Sequence, residues 1–578
     1  MTVRTLVESL EQQPIPVLRA IAASHHLDVA QVSRRDLPRV LADHLKRPDV
    51  LARALDRLTS EERAVLDRLV AEGGLFPAHR LQREYGEVRE LGPGRLERER
   101  PWGDPISPAE RLWYMGFMYS DFGQVGRFRG RVFYIPADLL PLLPPVEAPP
   151  VRFEVEPVEP PATLLESAPD DVVEDAFVIL SELQRHPAPL DEGGFLSIEV
   201  LRRMNARLRV PEPHLAEEPK LQRLGLILHL LRDLRLIVPE RGHMVLAVSA
   251  VRRWLQAPRD RRLLSLQRAW ARDPHWNDLW HVPGLAFEPT GWRNDPLTTR
   301  QQVLHWLKQV PPDTWISVDS FVKAIKRVGP DFQRPTGDYE SWFIRDARTG
   351  EFLRGWESWD AVEGALLRYL LAGPLHWLGV VNLGLGADGE PAAFRLTLWG
   401  RRFLGHEVHV PPPPPKTPIR VAADGTIAIP EGADDWERLH VERLAVPVNP
   451  PTHYRLDRER IVSVLVEGSD PERVMRFLRQ ATGGQLPEPV ERRIRGWMAG
   501  FGQVTVRRLV VLEVRDPAVL QALRRDPRLR RWLGRPLNRH TVAVSPEHLD
   551  ALIASLRRAG YLPRVVDEGG EGDLASSR

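Results

Sequence analysis

Apolar residues along most of the chain recur at spacings of three and four, the mark of helices that bury one face. Short alternating stretches interrupt this pattern at intervals. LTSEERAVLDRLVAEGG (58–74) predicts an amphipathic helix, with Ser60 as its cap and Gly73-Gly74 as its stop. PAHRLQREYG predicts a second, shorter helix. SPAERLWYMGFMYS (107–120) opens a third on Ser-Pro, a cap followed by a first-turn proline. RVFYIP, leading into ADLLPLL, closes the unit as an extended hairpin. The succession then recurs: VVEDAFVILSELQRH (172–186), SIEVLRRMNARL and LQRLGLILHLLRDLRLI (221–237) precede VPERGHMVLAVS, a hairpin turning at Arg241-Gly242. A third copy runs through RQQVLHWLKQV (300–310), SVDSFVKAIKRV (317–328) and AVEGALLRYLLAGPLHWLGVV (361–381). Its hairpin turns at ADGE (387–390).

Three helices followed by a two-stranded wing is a helix-turn-helix variant, and the three copies resemble tandem winged-helix domains. Ahead of them, PIPVLRAIAASHHL and RDLPRVLADHLKRPDVLARAL predict a helical lead-in similar to a SAP-like pair. Proline marks the joints: 141–162 reads as an extended linker and PPPPPK (411–416) as a stiffer spacer. The expected organisation is a lead-in at 1–57, winged helices at 58–146, 169–258 and 259–410 (the last with an insertion), a linker at 147–168, a compact domain at 416–566, and a polar, disordered tail at 567–578.

Within 416–566 the pattern changes. IRVAADGTIAIPEG (419–432) alternates around an Asp-Gly turn and predicts a hairpin. RLAVPVNPPTHYRLDRERIVSVLVEG (443–468) passes from strand to helix. SDPERVMRFLRQATGG (469–484) is a helix with Asp470 as cap and Pro471 at its first position. In EPVERRIRGWMAGFG (488–502), Val490, Ile494, Trp497 and Met498 share one face. VTVRRLVVLEV (504–514) and RHTVAVS (539–545) predict strands, and DPAVLQAL and DPRLRRWLG short helices opened by Asp-Pro. SPEHLDALIASLRRAGYLP (545–563) is a closing helix that buries Leu549, Leu552, Ile553 and Leu556. The expected fold class is mostly α with α+β, tandem winged helices followed by a compact α+β domain.

The blocks ADGTIAIP, THYRLDRERIVSVLVEGSDPERVMRFL, GQLPEPVERRIRGWMAGFGQVTVRRLVVLEVRDPAVLQAL and TVAVSPEHLDALIASLRRAGYLP resemble, in order and spacing, the N-terminal domain of the XPB family of DNA helicases, including bacterial members. The resemblance spans about 416–566 and implies a damage-recognition-type accessory domain that engages DNA or docks a partner. The preceding repeats are similar to those of bacterial proteins that carry this domain without a motor. A motor needs a phosphate-cradling loop ending in Gly-Lys-Ser/Thr. The six lysines here (Lys46, Lys220, Lys308, Lys323, Lys326 and Lys416) each follow another residue, and no DEAD- or DEAH-like box is present. ATP hydrolysis and unwinding are therefore not carried over.

Composition narrows the remaining choices. The net charge of +2 over 578 residues does not announce a nucleic-acid binder, so any such role rests on local patches. No cysteine is present, which removes disulfides, thiol chemistry and cysteine metal sites. No apolar run reaches about 18 residues and no signal-peptide core opens the chain, so a cytoplasmic protein without membrane contact is expected. His25-His26 and His406 with His409 lack further ligands, so no metal or other cofactor is expected. Asp319 to Lys323 is a poor nuclease window inside a helix, and no Gly-x-Ser-x-Gly elbow occurs.

What remains is basic. Arg127, Arg129 and Arg131 alternate along the first wing, in a pattern that fits either a phosphate-contacting wing or a solvated hairpin. Arg202, Arg203 and Arg207 lie along the middle helix of the second copy. Arg492, Arg493, Arg495, Arg507 and Arg508 flank a helix–strand junction around Trp497, whose spacing suits a core residue better than a base-stacking one. From position 451 onward, 23 arginines face 16 acids. The leading expectation is a non-enzymatic, helicase-associated DNA-binding protein of repair or transcription, engaging duplex or distorted DNA. The alternatives are a scaffold that docks a separately encoded helicase or nuclease, and a winged-helix transcriptional regulator.

Overall fold

The computed structural model describes residues 3–126, 128–146, 152–167, 169–288, 290–500 and 510–566. The tail at 567–578, residues 147–151 and 168 of the expected linker, and 504–509 of an expected strand lie outside the described residues. The fold is mixed α and α+β, with helices predominating and strands gathered into small sheets. It comprises two compact units. The first holds Met1–Arg420, Thr426–Arg455 and Ala481–Gly483, and the second Val421–Gly425, Leu456–Gln480 and Gly484–Arg578.

The first unit opens with helices Leu6–Glu11, Ile15–Ser24, Leu37–Leu45 and Pro48–Asp56. One arrangement then occurs three times. In the first copy, helix Ser60–Ala71 leads through strand Leu75–Pro77 to helices Ala78–Tyr85 and Pro108–Tyr114, then to the hairpin Tyr119–Val125 with Phe128–Tyr134. The second copy is Pro169–Arg185, strand Ala188–Pro189, Ile198–Asn205 and Arg223–Asp233, with hairpin Ile237–Glu240 and His243–Leu246. The third is Pro296–Leu307, strand Ile316–Ser317, Val318–Val328 and Ala365–Leu370, with hairpin Val381–Leu385 and Pro391–Leu396. In every copy the short first strand pairs with the last strand, which pairs with the middle one.

Local chemistry explains most of these elements and corrects one cap. Thr59, not Ser60, caps the first helix: its hydroxyl accepts from the Glu62 amide at 3.2 Å, and the Glu62 carboxylate accepts from the Thr59 amide at 2.9 Å. The Thr-x-x-Glu spacing closes this reciprocal box, which Ser60 cannot do one residue later. Arg241 and Gly242 both take positive φ at the second hairpin turn, as expected of a tight connection. The third helix of the last copy is flanked by wider, π-type turns at Asp360–Gly364 and Leu371–Leu375, where Pro374 removes a donor and Gly373 leaves helical geometry.

The repeats are not separate beads. One apolar core runs through the second and third copies, from Phe177 and Ile227 to Trp306, Phe321 and Phe394. The proline-rich stretch expected as an extended linker after the first copy is docked where it is described. Val158 donates to the Trp315 carbonyl at 2.8 Å, and Thr163–Leu165 pairs with the strand Val381–Leu385 of the third copy. Phe153 and Val155 pack on the same core.

The segment 426–455, expected to belong to the C-terminal domain, is part of the first unit. Its helix Asp435–Leu444 is held by buried charge pairs: Arg438 with Glu174 at 2.8 Å, Asp435 with Arg262 at 2.7 Å and Glu442 with Arg207 at 2.6 Å. Burial works against the Arg438 charge, but the hydrogen bond and charge of Glu174 hold its guanidinium above the usual range. The ring of Phe177 lies 3.8 Å below it.

The second unit contains helices Arg458–Val466, Glu488–Met498, Pro517–Arg525, Pro527–Arg530 and Leu549–Arg558, with antiparallel strands Val510–Glu513 and Thr541–Val544. Leu523, Leu529, Val544, Leu552 and Leu556 form its small core. Leu549 and Ile553, expected inside, are half-buried. Val490, Ile494 and Met498 are buried as their spacing requires, and Trp497 is half-buried at the edge of that face.

Candidate nucleic-acid interface

Most of the arginines singled out from the sequence are already engaged by protein. On the first wing, Arg127 lies outside the described residues. Arg129 is exposed opposite Gln124 and makes no ion pair with a described residue. Arg131 pairs with Glu90, and its guanidinium stands 5.4 Å from the Phe133 ring. Of the two described wing arginines only Arg129 lacks an ion pair with a described residue, and Phe122, 65% exposed, stands opposite Arg131.

In the second copy, Arg202 is exposed. Arg203 reaches Glu182 at 3.4 Å, and Arg207 bridges Glu182 at 3.2 Å and Glu442 at 2.6 Å. Arg207 therefore fastens helix Asp435–Leu444 within the first unit. In the second unit, Arg492 pairs with Glu488 at 2.7 Å, and Arg495 with Glu491 at 3.0 Å and Glu472 at 3.5 Å. Arg493 donates to the carbonyls of Asp424 at 2.9 Å and Ala423 at 2.6 Å, closing the Asp-Gly turn. Arg507 and Arg508 lie outside the described residues.

The other candidates also resolve into structure. His25 is buried, its Nε2 2.8 Å from the Met115 carbonyl, and burial pushes it down to about 4, so it is neutral at pH 7. Among the described residues no group of three or more histidine, cysteine or acidic side chains could hold a metal. Asp319 pairs with Arg368 at 2.6 Å instead of converging with Lys323. Among the described residues no helix is long and apolar enough to cross a membrane.

Sequence reasoning missed two features. The third helix of each copy is covered. No residue of Pro108–Tyr114 is exposed; in Arg223–Asp233 Asp233 alone is, and in Ala365–Leu370 only Arg368, which is paired with Asp319. Helix Ile15–Ser24 packs on the first of these and helix Arg259–Arg272 on the second. The other feature is a run of exposed arginines in the second unit. Arg524, Arg525, Arg528, Arg530 and Arg531 belong to two short helices and their end, and Arg535 and Arg539 to the turn that follows. None forms an ion pair with a described residue. The signal was present in RRDPRLRRWLGRPLNR, where seven arginines accompany one aspartate.

Residues 419–538 match the family model of the helicase conserved C-terminal domain, which makes the C-terminal region helicase-associated. The matched stretch includes the segment locked into the first unit and the first six helix-borne and turn arginines of the run. No curated protein matches the chain.

Proposed function

We propose that this chain is a helicase-associated nucleic-acid-binding protein that works beside a motor rather than as one, in DNA repair or transcription, with its second unit in contact with the nucleic acid. The observation that carries the reading is the helicase-domain match at 419–538, lying where arginines outnumber acids and a run from Arg524 to Arg535 forms no ion pair with a described residue. Six lysines, none after glycine, leave the sequence without a phosphate-cradling loop. The three copies share the element order and strand order of a winged helix, and we read them as tandem winged-helix modules. The residue blocks at 416–566 support an accessory domain of the XPB type.

A scaffold role for the first unit is favoured by one observation. A winged helix that reads sequence lays its third helix in the major groove. Here that helix is covered in all three copies, which counts against a regulator of the operator-reading kind. The first unit then serves to dock a separately encoded helicase or nuclease, and the second to hold nucleic acid. Fluorescence-anisotropy titration of the full chain with duplex, forked and single-stranded DNA at several salt concentrations tests the reading. Binding that weakens steeply with salt is expected. Absence of binding at low salt contradicts it and leaves only the scaffold.

A further inference from the structure

We infer that the arginine run from Arg524 to Arg539 is a contact surface for the sugar–phosphate backbone of nucleic acid, used without regard to base sequence. The inference rests on the nucleic-acid reading above and assigns the residues and the chemistry of that contact. Its starting point is a contrast within the second unit. On helix Glu488–Met498, Arg492 and Arg495 are neutralised by Glu488 and Glu491 one turn away, and Arg479 also reaches Glu491. In the run, seven guanidinium groups are exposed and none has an acidic partner among the described residues. Between Asp516 and Glu547 the sequence holds a single acid, Asp526.

Both nearby aspartates are occupied by backbone. Asp516 accepts from the Ala518 amide at 2.8 Å and Asp526 from the Arg528 amide at 2.7 Å, so each caps a helix instead of neutralising a side chain. The leucines decide which way the helices face. Leu520, Leu523 and Leu529 are buried, the last two against Val544, Leu552 and Leu556, which turns the arginines outward from a fixed base. Residues 534–536 are tied to the strand Thr541–Val544: Gly534 donates to the Ala543 carbonyl at 2.9 Å, and Ala543 donates to the Arg535 carbonyl at 3.0 Å. The last arginines therefore leave from hydrogen-bonded backbone.

Arg531 lies 4.5 Å from the Trp532 ring, but seven like charges packed into a short, well-anchored stretch repel one another. An anion with regularly spaced charge relieves that repulsion, and guanidinium forks match phosphate oxygens with two parallel hydrogen bonds. Arginine contacts of this kind set register on the backbone and carry no base information. The covered third helices of the first unit supply no base reading either, so the binding is independent of sequence.

The test uses the full chain carrying Arg524→Gln, Arg525→Gln and Arg528→Gln together, titrated by anisotropy against two unrelated duplexes and a single strand across a salt series. Binding by the triple variant is expected to weaken about tenfold or more near physiological salt, and the salt slope to fall by about one per arginine removed. The two duplexes are expected to bind alike. The corresponding triple Arg→Lys variant, which keeps the charge, is expected to restore most of the slope, and Arg492→Gln with Arg495→Gln to leave it unchanged. A triple glutamine variant with the parent's affinity and slope overturns the assignment while leaving the nucleic-acid reading intact. Failure of the parent chain to bind any nucleic acid overturns that reading itself. Equal affinity of the parent for phosphatidylserine vesicles and for DNA, lost together in the triple variant, overturns nucleic acid as the partner of this surface.

Discussion

At the scale of single residues, the side chains that look most available in the sequence are often the ones the fold consumes. Arg207 is expected on a polar helix face and reads as a surface charge, yet it lies in the turn after Asn205 and joins Glu182 to Glu442, a residue more than two hundred positions away. Arg438 is almost fully buried between Glu174 and the Phe177 ring. Removing one partner of such a pair strands the other charge, at a cost of about 3–5 kcal/mol. Arg438→Leu is therefore expected to lower the stability of the first unit by that order, and Glu174→Gln combined with Arg438→Met to recover most of it, as read by chemical denaturation. A neighbouring acid has the opposite character. Burial, with the charge of Asp434, pushes Glu437 up to about 7, against the pull of Lys416. A carboxyl whose folded pKa is raised binds more protons folded than unfolded, so stability falls as pH rises from about 4.5 to 7. Glu437→Gln is expected to raise the melting temperature at pH 8 and to make little difference at pH 4.5. A larger gain at the lower pH contradicts this assignment.

At the scale of elements, the helix and hairpin succession was legible because amphipathic periodicity, Asp-Pro and Ser-Pro starts and Gly turns are local signals. Turns at Arg241-Gly242 and 387–390 stand where their residues place them. What faces each helix was not legible, because burial of Pro108–Tyr114 and Arg223–Asp233 depends on helices distant in sequence. The same holds for helix Ala78–Tyr85, whose His79, Arg80 and Arg83 converge on Asp331 of the third copy, with Arg80 at 2.6 Å and the Tyr339 hydroxyl at 2.8 Å. Burial alone would raise the Asp331 pKa, but the hydrogen bond from His79 and the charges of Arg80, His79 and Arg83 hold its carboxyl well below the usual range. Asp331→Asn is expected to speed amide hydrogen exchange in both 78–85 and 331–340 by about tenfold or more, since both lose the anchor. Unchanged exchange in 78–85 contradicts the role given to this contact. The arginine run was legible in composition, but its lack of partners was not, because that depends on Asp516 and Asp526 being taken up by the Ala518 and Arg528 amides.

At the scale of the whole molecule, the helicase-matched stretch is not a free-standing module. Its residues 426–455 share a core and a buried charge network with the second copy, while its arginine run belongs to the second unit. The second unit keeps at its surface a run of arginines that form no ion pair with a described residue. The central claim is that nucleic acid meets the second unit and leaves the covered helices of the first untouched. Photo-cross-linking of the full chain to single-stranded and forked DNA carrying 5-iodouracil, followed by mass-spectrometric mapping of the adducts, tests it most directly. Adducts concentrated in peptides from 515–564 are the result expected here. Adducts confined to the three hairpins or the third helices of the first unit would contradict the account.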